Sequence, residues 1–181
     1  MDQELEQILA EGYLSGLPER PVPELRRLRA ECQSVETQLS YLRRLVQGRH
    51  DIVTAEQARR LRGGDPDDVH GLVEQLPEIL SDRIRAPGPG RLPSSIEPPE
   101  PSGRLVDRLG SINEAVPLDA PDALGDDDLA AAAGQLADLE GEVSALRRAM
   151  FDRIDAIEVE LTRRYADGEA HVEDLLSPHG D

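Results

Sequence analysis

The stretch Pro23–Val46, PELRRLRAECQSVETQLSYLRRLV, decides the fold. Its apolar positions are Leu25, Leu28, Cys32, Val35, Leu39, Leu42 and Val46, at alternating steps of three and four. That spacing holds one apolar seam on a helix and is the mark of a coiled coil. Pro21-Val22-Pro23-Glu24 opens the helix, and Pro23 suits a first turn, where the missing N–H would have had no partner. The seam falters at Arg49, resumes at Val53 and stops at Arg62-Gly63-Gly64-Asp65-Pro66. A helix over 23–62 would be a rod of roughly 60 Å.

A second seam with the same steps runs through Leu129, Ala132, Leu136, Leu139, Val143, Leu146 and Met150, and continues with Ile154, Ile157, Leu161 and Tyr165. Asp126-Asp127-Asp128 starts it by placing carboxylates beside unpaired N–H groups at the positive end of the helix dipole. Asp167-Gly168 ends it. Two long helices, 23–62 and 126–168, predict an all-α fold: a long antiparallel two-helix coiled coil, or helical hairpin. A short amphipathic helix over 2–17 (Leu5, Ile8 and Leu9 on one face) precedes it. Between the long helices, 63–125 reads as a linker. Within it Asp68–Ile84 suggests one or two short helices, Ala86–Gly103 is Pro/Gly-rich and expected to be flexible, and Arg104–Ile112 suggests a further helical piece. An acidic tail, 169–181, carries Val172, Leu175 and Leu176. The linker is long enough for parallel pairing as well, and a homodimeric coiled coil is the competing architecture.

Composition narrows the function. The chain has 181 residues, no Trp, one Phe and three Tyr, so a large aromatic core is excluded. All 20 basic residues are Arg, each a planar guanidinium able to stack and to bind bidentately. The net charge of −17 repels phosphate backbones and argues against direct DNA binding; it suits a partner with basic surfaces. The single Cys32 excludes an intramolecular disulfide and fits a reducing compartment. No run is apolar enough to span a membrane and the N-terminus lacks a signal region, so a cytoplasmic protein is expected. His50, His70, His171 and His179 show no metal-ligand spacing, and neither a nucleophile elbow nor a phosphate-binding glycine loop occurs, so an enzyme is not expected.

The two seams carry the same polar pattern about a hundred residues apart. The first copy is Glu36-x3-Ser40-x2-Arg43-x3-Gln47-x3-Asp51, the second Glu140-x3-Ser144-x2-Arg147-x3-Phe151-x3-Asp155. Aligned without gaps they also share Leu42/Leu146, Arg44/Arg148 and Arg49/Arg153. On a helix the five motif positions of the first copy fall within an arc of about 80°. With Leu25 and Leu129 as a positions, Glu36, Arg43, Glu140 and Arg147 are e positions, while Ser40, Gln47, Ser144 and Phe151 are b positions. In an antiparallel pair e faces e′, so both stripes are expected on one flank, with Arg43 and Arg147 meeting mid-rod about a pseudo-twofold axis. Arg can grip guanine or phosphate oxygens, and a carboxylate can accept from the N1–H and amino group of guanine. A two-fold guanine-bearing phosphodiester fits such a face. One copy alone would be explained by surface ion pairs at i, i+3/4 spacing; two copies in one register favour a composite site.

This twice-written pattern resembles the cyclic di-GMP-binding signature of the RsiG-type anti-sigma factors of sporulating actinobacteria. The resemblance covers roughly 23–62 and 127–167. It implies an antiparallel coiled coil that binds cyclic di-GMP, as a stacked dimer, on one flank and sequesters a WhiG-type sigma factor of the flagellar class, repressing late sporulation transcription. The ligand-binding residues it implies are Glu36, Ser40, Arg43, Gln47, Asp51, Glu140, Ser144, Arg147 and Asp155. Phe151 stands where the pattern has Gln; it removes one polar contact and offers stacking on a base instead. The alternative reading is an acidic coiled-coil adaptor or scaffold without a small-molecule ligand.

Overall fold

A computed structural model describes residues 1–63, 101–117 and 124–168. Among them the chain is helical, with no strand: α1 Asp2–Leu9, a 3-10 turn Leu17–Glu19, α2 Val22–Leu61, α3 Arg104–Ala115 and α4 Asp126–Ala166. The expected short helices within Asp68–Ile84, the Pro/Gly-rich stretch up to residue 100 and the tail from 169 onward lie outside the described residues. α1 stops at Leu9; the rest of the 2–17 segment is turn, with Gly16 in the left-handed region (φ 66) just before the 3-10 turn. Both long helices end on a left-handed glycine, Gly63 (φ 72) and Gly168 (φ 71), the residue type that closes a helix without a Cβ clash.

The described chain forms two compact units, Met1–Leu39 with Ala145–Asp181, and Ser40–Ser144. In each, a segment of α2 runs antiparallel to a segment of α4. In the first unit Arg26 meets Tyr165, Arg29 meets Glu158 and Glu36 meets Arg147, so one helix climbs as the other descends. In the second unit Arg43 meets Glu140 and Arg60 meets Asp126, in the same sense. Both seams are core: Leu25, Cys32, Leu39, Leu42, Val46, Leu129, Leu139, Val143, Met150 and Ile157 are fully buried. The fold is the helical hairpin expected from the two seams, and pairing one seam with the other removes both from water.

Each unit also seats a short helix against its long pair. In the first, Leu5 and Ile8 of α1 are buried, and Arg153 Nε donates to the carbonyl of Ile8 at 2.7 Å, a cation on the negative end of that helix. Tyr13 pins the following turn: its hydroxyl lies 3.2 Å from the Leu28 carbonyl oxygen and 3.1 Å from Glu31 Oε2. Burial raises the pKa of the Tyr13 phenol and of the neighbouring Cys32 thiol, so both stay neutral. In the second unit Leu105, Leu109 and Ile112 of α3 are buried, and Arg104 and Arg108 both pair with Glu142.

Burial shows the internal repeat to be longer than its identical residues. At the offset separating Glu36 from Glu140, Leu5 corresponds to Leu109, Ile8 to Ile112, Leu25 to Leu129, Val35 to Leu139 and Val53 to Ile157, and all ten are buried. The repeated element is thus a short amphipathic helix followed by a long one.

Candidate functional site

The two long helices hold the motif residues at the edge of the apolar seam, where all but Phe151 and Asp155 are half-buried. In the Ser40–Ser144 unit, Glu140 gathers three donors on one oxygen. Arg43 Nε lies 2.8 Å from Glu140 Oε1, Ser144 Oγ 2.9 Å and Gln47 Nε2 3.0 Å. Arg43 foremost, helped by Ser144 and Gln47, holds the Glu140 carboxyl below the usual carboxylate range despite its partial burial. Among the described residues no donor is assigned to Glu140 Oε2, which keeps its lone pairs available. Among the described residues Glu140 engages Arg43 through Nε, which leaves the two terminal nitrogens as the fork that grips a phosphate. Ser40 and Asp51 are half-buried members of the same unit.

In the Met1–Leu39 and Ala145–Asp181 unit the corresponding pair is Glu36 with Arg147: Arg147 Nε donates to Glu36 Oε1 at 3.0 Å. The arginine here has a second hold. Its Cζ lies 5.1 Å from the centroid of the Phe151 ring, within the range of a cation–π contact. Phe151 is 40% exposed and Asp155 is exposed one turn further on. Each unit therefore holds one carboxylate–guanidinium pair from the repeated pattern. In one the carboxylate is braced by polar side chains, and in the other the guanidinium is braced by a ring.

The three arginines that each copy carries (Arg43, Arg44 and Arg49; Arg147, Arg148 and Arg153) go different ways. Arg153 sits at a seam position and is taken up by α1, donating to the Ile8 and Leu9 carbonyls. Its counterpart Arg49 is also at a seam position, and burial lowers its pKa. Arg44 and Arg148 are exposed. A side chain on the heptad seam points at the partner helix rather than along the motif stripe, which leaves Arg43 and Arg147 as the arginines at the paired carboxylates.

One constellation has no precedent in the motif. Beyond each copy the seam carries a carboxylate, Glu56 and Glu160, both nearly inaccessible to solvent. Arg59 and Arg60 close on Glu56, and Arg163 and Arg164 on Glu160. The second arginine of each set then reaches the chain leading into a long helix: Arg60 donates to Leu124 O and Asp126 Oδ1, Arg164 to Leu17 O and Pro18 O. The identical Glu-x2-Arg-Arg strings at 56–60 and 160–164 are the signal that would have revealed these clasps. Arg163 foremost, then Arg164, holds the Glu160 carboxyl down to about 2.

Among the described residues no group of His, Cys, Asp and Glu could hold a metal ion, and no helix is long and apolar enough to cross a membrane. No curated protein matches the chain. A family model described as RsiG-like matches residues 11–80 and 115–178, which takes in both long helices and both copies of the motif. On that match the chain belongs to the RsiG-like family.

Proposed function

We propose that this protein is an anti-sigma factor that binds cyclic di-GMP through the two motif copies and sequesters a WhiG-type sigma factor, repressing late sporulation genes. The observation that carries the reading is the pair of matched contacts, Arg43 with Glu140 and Arg147 with Glu36. Each sets a guanidinium, which can grip a phosphate, beside a carboxylate, which can accept from a guanine. The ligand residues are Glu36, Ser40, Arg43, Gln47, Asp51, Glu140, Ser144, Arg147 and Asp155, with Phe151 provisionally among them.

Roles follow from the chemistry. Glu140 is ionised and oriented through Oε1, so Oε2 can accept the N1–H and amino protons of guanine, a donor pair that adenine does not offer. Arg43 and Arg147 supply positive charge to the phosphodiesters in a chain whose net charge of −17 would otherwise repel them. The acidic surface suits basic helical regions of a sigma factor. Binding of sigma factor and dinucleotide should be linked, and whatever one does to the affinity of the other is reciprocal.

Calorimetry with cyclic di-GMP, with and without the sigma factor, tests the reading. Arg43→Ala or Arg147→Ala should abolish binding and leave helicity intact. If either variant loses helicity instead, the ion pairs are structural and the acidic adaptor is the better account.

A further inference from the structure

We propose that Phe151, with the Arg147 guanidinium laid against it, forms a stacking plane for a purine of the bound dinucleotide. The Met1–Leu39 and Ala145–Asp181 unit would then hold a base through a π face, where the Ser40–Ser144 unit uses hydrogen bonds. The inference rests on the dinucleotide reading above and deepens it.

The two motif copies differ at one of the five positions, with a defined consequence. Gln47 donates to Glu140 at 3.0 Å, which braces the carboxylate that faces Arg43. A phenyl ring has no donor, so Phe151 cannot do the same for Glu36. What it does instead is flank Arg147, whose Nε is fixed 3.0 Å from Glu36 Oε1 while its Cζ stands 5.1 Å from the ring centroid. The guanidinium plane is thus held from two sides, by charge and by the quadrupole of the ring.

Phe151 also stands outside the buried core, with 40% of its surface exposed. Among the described residues the exposed large hydrophobics are Leu45, Leu61, Phe151 and Val159, and Phe151 is the one aromatic. Tyr13 is buried against α2 and Tyr165 is engaged by Arg26, so neither offers a free face in this unit. A purine has a π face on each side, and aromatic rings and Arg planes are the surfaces on which proteins stack unpaired bases. An exposed ring beside an oriented guanidinium meets that requirement, and a solvated helix face does not call for it.

The chain has a single Phe, which makes the test direct. Full-length protein grown with para-fluorophenylalanine gives one fluorine signal, and cyclic di-GMP is titrated into it with unlabelled sigma factor present while calorimetry follows the same samples. The signal should move as a base stacks over the ring. Phe151→Leu, which keeps apolar volume without a π face, should weaken binding about tenfold, and Phe151→Tyr should restore it. Circular dichroism should be unchanged in both, since the residue is outside the core. Binding heat with an unmoved fluorine signal, or Phe151→Leu binding within twofold of the parent, would overturn the stacking role alone. An absence of heat in the parent protein would remove the dinucleotide reading and this inference together.

Discussion

Glu140 shows how a residue on a coiled-coil flank becomes more than an ion-pair partner. Three donors converge on Oε1, which fixes the carboxylate, and among the described residues none is assigned to Oε2. Arg43 is the largest influence on its ionisation and lowers its pKa. Arg43→Ala should therefore let the Glu140 carboxyl rise back toward its ordinary value of 4.5, as read from the side-chain carboxyl carbon in an NMR titration. Ser144→Ala should produce a smaller change in the same direction. A Glu140 value unmoved by Arg43→Ala would mean that the contact contributes nothing in solution, as many exposed ion pairs do.

The clasps at the helix ends belong to the scale of the element. A buried carboxylate with two arginines ties each long helix to the chain entering the other. Removing the carboxylate takes a buried acceptor from Arg59 and Arg60: Glu56→Ala should cost about 3 kcal/mol in urea unfolding, the lower end for breaking a buried pair because both arginines keep some access to water and Arg60 keeps Asp126. The pH dependence follows from the direction of the shifts. Glu56 and Glu160 are both depressed, so their contribution is fully present above the ordinary carboxylate value of 4.5 and is lost as pH falls, for Glu160 toward about 2. Thermal melting should accordingly show a falling midpoint below that ordinary value and none of this loss between pH 6 and pH 8. The short helix α1 is too short to persist alone. Ile8→Ala, which removes its most buried side chain, should cost about 2–3 kcal/mol and expose Asp2–Leu9 to hydrogen exchange before the long helices.

What could be read in advance divides along physical lines. The seams were legible because apolar side chains at steps of three and four mark a coiled-coil helix, and the seams through Leu25–Val46 and Leu129–Met150 form the core of the hairpin. Heptad register placed both stripes at e positions, which face each other in an antiparallel pair, but the particular partners, Arg43 with Glu140 and Arg147 with Glu36, came only with the structure. Glu56 and Glu160 were not, because a carboxylate on the seam looks like an interruption until its arginines are seen to neutralise it. Arg153 misled for the opposite reason. It shares the motif window, but its seam position sends it to the Ile8 and Leu9 carbonyls instead of the polar stripe. The correspondence of α1 with α3 was hidden as well, because Leu5/Leu109 and Ile8/Ile112 are the identities there and leucine is too common to stand out.

At the scale of the whole molecule, two units built from the same succession of short and long helix each present one carboxylate–guanidinium pair within a strongly acidic chain. A ligand that binds only the folded protein should stabilise it by about 2.7 kcal/mol at a hundredfold excess over its dissociation constant, and added salt should weaken the phosphate contacts made by Arg43 and Arg147. The measurement that bears most directly on the account is calorimetric titration of cyclic di-GMP into the protein with its sigma factor, for the parent chain and for Arg43→Ala. Saturable binding by the parent and none by a fully helical Arg43→Ala is the predicted result. A parent chain that gives no heat, or an Arg43→Ala variant that binds as tightly as the parent, would contradict it.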